Sequence, residues 1–156
     1  MNEYVLDTLD TKILQIISND ARISFLEVAR ACNVSGAAVH QRVQKMINNN
    51  VINGSEFKLN LSKIGYETCA FLKLGFGDSD DTCDVVEKLK EIPEIVECHT
   101  MIGGYDLFVK LYAHNNAHLS EIIKNRIKPL GLVCVDATIS CEETFSRQII
   151  FESNAT

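Results

Sequence analysis

The sequence predicts an α+β chain of two modules, an N-terminal winged helix-turn-helix followed by a C-terminal ferredoxin-like βαββαβ domain. Three observations carry that expectation. Apolar residues recur at helical spacing in three short stretches before residue 48. From residue 68 the pattern changes to strand, helix, strand, and then repeats. Between the two regions, Asn53-Gly54 marks a turn. The boundaries follow as a helix-turn-helix domain over 1–51, a connector strand over 52–66 and a βαββαβ domain over 67–156. With 156 residues, 46% hydrophobic and 23% charged, the composition is that of a globular chain.

In the first helix Leu6, Leu9, Ile13, Ile16 and Ile17 share one face, which leaves Asp10, Lys12 and Gln15 towards water. Asn19-Asp20 is its stop. The second helix begins at Ser24 with Glu27 three residues on, a capping box in which each side chain satisfies an orphan N–H of the first turn. Phe25, Val28, Ala29 and Cys32 form its stripe. After Asn33-Val34, Ser35 caps a third helix whose apolar residues are Val39, Val43, Met46 and Ile47. Two short helices joined by a tight turn make a helix-turn-helix.

Opposite the stripe of the third helix lie Ala37, Ala38, Gln41, Gln44, Lys45 and Asn48, with His40 and Arg42 on the shoulders. No acid occurs between Glu27 and Glu56. A polar, acid-free face tipped with small residues suits a helix entering a DNA groove: Gln pairs with adenine edges, and Lys or Arg holds guanine or phosphate. Arg22 is placed to reach backbone phosphate. The same pattern also describes a solvated amphipathic helix in a small bundle.

The second module begins with Thr68 to Phe76, where Ala70, Leu72, Leu74 and Phe76 alternate onto one face. A polar loop over 77–81 leads to a helix with Val85, Val86, Leu89 and Ile92, ended by Pro93. Ile95 to Met101 and Leu107 to Ala113 are strands. The next helix buries Leu119, Ile122, Ile123 and Ile127. A last strand, Leu132 to Ser140, puts Val133, Val135, Ala137 and Ile139 on one side. This split βαβ order gives a four-stranded antiparallel sheet with both helices on one face. Its other face, with Phe71, Cys98, Phe108 and Tyr112, is left open and favours a homodimer.

The formal net charge of -6 argues against a nucleic-acid partner only as an average. Residues 1–62 hold six basic side chains (Lys12, Arg22, Arg30, Arg42, Lys45, Lys58) and six acidic ones (Glu3, Asp7, Asp10, Asp20, Glu27, Glu56), so the negative excess lies wholly beyond them. No apolar run is long enough for a membrane span, and acids stand where a signal peptide needs bases, which points to the cytoplasm. The six cysteines are scattered without a C-x-x-C pair and read as reduced thiols. A thiol or metal sensor using Cys98, His99, Cys134 and Cys141 is the rival reading, with a stand-alone amino-acid-binding module as another. His114 is expected to precede the second helix of the domain and so not to face His118. No catalytic constellation is present, so no enzyme, catalytic residue, metal or cofactor is expected.

Several motifs, in order, carry a family resemblance. Leu9-Asp10-Thr11-Lys12-Ile13-Leu14, Asn19-Asp20-Ala21-Arg22-Ile23-Ser24, Val34-Ser35 before Val39-His40-Gln41-Arg42-Val43-Gln44-Lys45-Met46, and Val51-Ile52-Asn53-Gly54 closely resemble the Lrp/AsnC (feast/famine) transcription regulators. Glu97-Cys98-His99 followed by Gly103-Gly104-Tyr105-Asp106 resembles that family's amino-acid-sensing domain. The likeness covers nearly the whole chain and is nearer to the asparagine-responsive branch. It implies a sequence-specific regulator of double-stranded DNA, a homodimer assembling to an octamer, and a free amino acid, asparagine or another small one, bound between dimers. It also implies DNA contacts from Arg22, Ser35, Ala37, Ala38, His40, Gln41, Arg42, Gln44 and Lys45. The effector loop would be Met101, Ile102, Gly103, Gly104, Tyr105 and Asp106, facing a wall at Ala137, Ile139, Cys141 and Glu142. The glycines would let backbone groups receive a carboxylate, and Asp106 or Glu142 would pair with an α-ammonium. Taken without the resemblance, the glycine pair reads as the turn between two strands. Two positions depart from the family pattern: Gly104, frequently polar or charged in relatives, and Glu142, where the asparagine branch tends to show an amide.

Overall fold

In the computed structural model, residues 4–77 and 82–149 are described. The described chain divides into two compact units, one made by residues 4–58 together with 145–149, the other by the described residues between 59 and 144. Most of the polar loop expected over 77–81 lies outside the described residues.

The first unit contains α1 (Thr8–Asn19), α2 (Phe25–Cys32) and α3 (Gly36–Asn48). They surround a core of Ile13, Leu14, Val28, Ala29, Val39, Val43 and Met46. The expected capping box is present at α2, where Ser24 accepts from the Glu27 N–H and the Glu27 carboxylate accepts from the Ser24 N–H. Asn33 then turns the chain out of the helix at φ +57°, a left-handed conformation that asparagine tolerates. A second box opens α1, formed by Asp7 and Asp10.

Three expectations for this unit are corrected. Asp10, assigned to water by its place in the helical wheel, is 1% exposed. Phe25 and Ile47, assigned to buried stripes, are exposed, because three short helices enclose only a narrow core. Residues 53–60 form no strand, so the expected wing and connector strand are a run without ladder bonds of their own.

The second unit has a 3-10 turn at Leu61–Ile64 and then β1 (Thr68–Gly75), α4 (Thr82–Lys90), β2 (Ile95–Thr100), β3 (Leu107–Ala113), α5 (Asn116–Ile122) and β4 (Val133–Ser140). A π-helical turn at Ile123–Ile127 and a 3-10 turn at Lys128–Leu130 extend α5 before Gly131 ends it. The sheet is antiparallel in the order β2-β3-β1-β4, as the split βαβ pattern requires. Ala70, Leu72, Leu74, Leu107, Val109 and Leu111 meet Val85, Leu89, Leu119, Ile122 and Ile127 in one core. Burying such side chains contributes roughly 1.5–3 kcal/mol each, and that term holds the helices to the sheet.

Two register irregularities overturn expected facings. β4 carries an extra residue at Val135: Lys73 pairs with Asp136 but Leu74 with Cys134. Val133 therefore lies on the opposite face from Ala137 and Ile139 instead of sharing theirs. In β2 a shift between Ile95 and Glu97 pairs Cys98 with Val109. Cys98 is thus on the helix side, not on the open face. That open face carries Phe71 stacked on Phe108 at 5.6 Å between centroids, with Tyr112 and Lys110 beside them.

Candidate nucleic-acid interface and effector site

Three features place α3. The Ser35 side chain accepts from the Ala38 N–H at 3.2 Å and starts the helix. Gly36 lets α2 and α3 approach, since a Cβ there would lie 3.3 Å from Leu26 Cδ2. The third is Arg42. Its guanidinium pairs with Asp7 and, at 3.2 Å, with Asp10, while Tyr4 donates its hydroxyl to Asp10 at 3.3 Å. Arg42 therefore holds α3 to the start of α1 and satisfies a buried carboxylate. Its Nη1 is thereby engaged within the unit, while the rest of the side chain stays partly exposed on the shoulder of α3. The Asp10 N–H, and after it the Arg42 guanidinium, hold the Asp7 carboxyl below the usual carboxylate range.

The remaining face agrees with the expected geometry. Ala37, His40, Gln41, Gln44 and Lys45 are exposed and Ala38 is half-buried. The Gln41 side chain makes no hydrogen bond among the described residues. Gln44 donates to Asn48 at 3.1 Å. The Lys45 ammonium rests 5.4 Å from the Tyr4 ring centroid, and His40 packs at 5.9 Å on Phe25. Arg22 is exposed, with its guanidinium 5.9 Å from the Phe57 ring centroid. The Asp7–Asp10–Arg42 cluster was missed in the sequence, although an acid three residues after a capping acid was its visible signal.

In the second unit, Met101 to Asp106 form the β2–β3 connection, closed by the Met101 N–H donating to the Asp106 carbonyl at 2.8 Å. Ile102 is fully exposed, and Gly103 takes φ +152°, a conformation strained for any side chain. Asp106 is committed to structure: its Oδ2 accepts from the Phe76 N–H at 2.9 Å. Within one chain the expected wall is not brought to this loop. The loop adjoins the Leu74 end of β1, through Leu107, whereas Ser140, which leads to Cys141 and Glu142, pairs with Cys69. Five residues of strand, about 17 Å, separate the two ends. Ala137 and Ile139, opposite Leu72 and Ala70, occupy intermediate and far positions. The β4 residue near Asp106 is Val135, across Gly75.

The thiol-sensor geometry fails within the chain. Cys98 lies on β2 and Cys134 on β4, the two edges of the sheet, some 14 Å apart at ordinary strand spacing. Burial pushes the thiols of Cys69, Cys98 and Cys134 up, which disfavours their thiolate forms. The expectation that His114 and His118 would not face each other is corrected: Asn115 caps α5, and the turn it makes stacks the two imidazoles 5.0 Å apart. No helix among the described residues is long and apolar enough to cross a membrane.

Residues 6–47 match the family model of the AsnC-type helix-turn-helix domain, and residues 69–150 that of the Lrp/AsnC ligand binding domain. The regulatory protein AsnC of Haemophilus influenzae is 32% identical over 145 residues, 92% of this chain and 97% of that protein. The structure of AsnC from Escherichia coli superposes with a TM-score of 0.85 at 25% identity, covering 94% of this chain and 99% of that one. A feast or famine regulatory protein from M. tuberculosis, complexed with L-methionine, shares the fold at a TM-score of 0.87 and 22% identity, over 94% and 99% of the two chains.

Proposed function

The chain belongs to the Lrp/AsnC family of transcriptional regulators, and from that premise we propose how its two units divide the work. Helix α3 enters the major groove and reads base edges with Gln41 and Gln44, its N-terminal alanines allowing close approach. Lys45, His40, Ser35 and Arg22 hold the backbone phosphates. The observation that carries this reading is the outward face of α3, exposed and without a single acid from Gly36 to Asn48. Arg42 acts indirectly, as the tie that fixes the angle of α3.

The second unit is a sensor for a free amino acid. The neighbour complexed with L-methionine supports that ligand class, and asparagine or another small amino acid suits the short loop here. Gly103 and Gly104 receive the carboxylate through backbone N–H groups. The ammonium partner comes from Glu142 of a second copy of the chain, because within one chain Glu142 lies at the opposite end of the sheet. The site is thus complete only in an assembly, a homodimer through the open sheet face and then an octamer made of four such dimers. Binding there changes assembly, and with it the spacing of the α3 helices on DNA. The protein works in the cytoplasm and without catalysis.

A calorimetric screen against the twenty amino acids tests the sensor. One or a few should bind, and Glu142→Ala should weaken that ligand about tenfold or more, as expected for losing a charge-assisted bond. No binding by any amino acid, or unchanged affinity in Glu142→Ala, would remove the proposed site.

A further inference from the structure

The segment ahead of α1 reaches across to α3. The Tyr4 hydroxyl donates to Asp10 Oδ2 at 3.3 Å, and Asp10 is 1% exposed. Asp10 Oδ1 in turn accepts from Arg42 Nη1 at 3.2 Å, and the Tyr4 side chain packs against the core of the first unit. Its ring centroid lies 5.4 Å from the Lys45 ammonium, three residues after Arg42 on the same helix. These contacts close a circuit from Arg42 through Asp10 and Tyr4 to Lys45, and back along α3. A residue outside the three helices, fixed at its hydroxyl by a buried carboxylate, thus presents a ring to a cation of the outward helix face.

The ring restrains Lys45 without neutralising it. A lysine on a helix surface keeps much of its rotamer freedom, and that freedom is lost when the ammonium meets a phosphate. Lys45 is exposed and has no carboxylate partner among the described residues. A carboxylate would cancel its charge and occupy its donors. An aromatic face attracts the ammonium through the quadrupole of the ring and leaves N–H groups free for phosphate oxygens.

We propose that Tyr4 is a positioning residue for duplex binding, its ring holding the Lys45 ammonium at the edge of α3 in the place where it meets a phosphate. This rests on the reading of Lys45 as a phosphate contact, and it deepens that reading by naming what prearranges the contact. Tyr4 lies ahead of the residues 6–47 that match the helix-turn-helix family model. The hydroxyl orients the ring, and the ring acts on DNA only through Lys45.

The test is a double-mutant cycle on the full chain, with the DNA upstream of its own coding sequence as the probe. Tyr4→Phe and Tyr4→Leu both lose the hydroxyl, so they share the cost of freeing Asp10 and differ in the ring. Tyr4→Phe should bind the duplex about threefold more tightly than Tyr4→Leu. In the Lys45→Ala background the two should bind alike, which a purely structural role of Tyr4 would not produce. In proton NMR the Lys45 ε-methylene should resonate upfield of ordinary lysines in the parent and in Tyr4→Phe, because it lies over the ring, and return to their position in Tyr4→Leu. The parent spectrum alone decides this point if Tyr4→Leu does not fold.

Equal affinities of Tyr4→Phe and Tyr4→Leu, or a difference that persists without Lys45, would mean that Tyr4 serves the fold alone. Either result overturns the proposal, as does a parent Lys45 ε-methylene with no upfield shift. If Lys45→Ala by itself changes neither affinity nor salt slope, the phosphate contact is absent and the proposal falls together with that reading. If Lys45→Ala weakens binding while the Phe and Leu variants bind alike, the contact stands and only the role of Tyr4 is overturned.

Discussion

The outward face of α3 and the open face of the sheet are both uncovered, yet they handle their polar groups in opposite ways. On α3 the exposed groups hold few partners, with the Gln41 side chain making no hydrogen bond among the described residues and the Lys45 ammonium resting on a ring. On the sheet the charges are already matched: Lys73 with Asp136 at 3.1 Å, and Lys110 with Glu97 at 3.3 Å and Glu143 at 3.9 Å. These pairs surround the Phe71–Phe108 stack. A surface whose donors are spare suits a partner that brings its own charge, such as a phosphate backbone. A surface neutralised in advance, with aromatics at its centre, suits burial against a copy of itself.

The largest effect should come from spoiling the second surface. Phe71→Asp places an unpaired carboxylate among the aromatics and should leave a particle near 17.4 kDa in sedimentation. DNA affinity should then fall about 100-fold or more, because one half-site replaces two. Next comes the first surface: Gln41→Glu puts an acid on the groove-facing side of α3, within the field of the flanking phosphates, and should weaken duplex binding by about 100-fold with an unchanged melting temperature. Should Phe71→Asp leave the mass unchanged, or Gln41→Glu leave the affinity unchanged, the contrast between the two faces would lose its meaning.

A smaller effect separates holding from reading within α3. Arg42→Ala leaves the 1%-exposed Asp10 without its cation and should destabilise the first unit by about 2 kcal/mol in denaturant unfolding, discounted for the partly exposed guanidinium. Asp10→Ala in the same chain should recover most of that loss. The smallest effect is in acid. The Asp10 N–H and the Arg42 guanidinium hold the folded Asp7 carboxyl below the ordinary aspartate range, so its stabilisation is complete above that range and is lost as pH falls through the depressed value. Asp7→Asn should flatten that acid limb while leaving the neutral-to-basic profile parallel to that of the parent.

The Ser24 and Glu27 box, the strand order and the outward set on α3 were legible because each depends on spacing within a few residues. Asp10 was not, since burying an acid requires a cation 32 positions along the chain. The extra residue at Val135 was also hidden, because Val133, Val135, Ala137 and Ile139 alternate without interruption in the sequence and only the pairing with β1 shifts them. The family resemblance supplied the loop over 101–106 and Glu142 together, but topology puts them at opposite ends of one sheet. Residues proposed to meet only between copies of the chain would leave no local signature in it.

The central claim is that the acid-free face of α3 contacts duplex DNA while Arg42, through its Nη1, ties α3 to the start of α1. Its most direct test is the salt dependence of binding to the DNA upstream of the protein's own coding sequence, for the parent and for Lys45→Ala. Loss of one phosphate contact should lower the slope of log affinity against log salt by about one, with the melting temperature unchanged. A slope identical to the parent's in Lys45→Ala, on a folded protein, would contradict it.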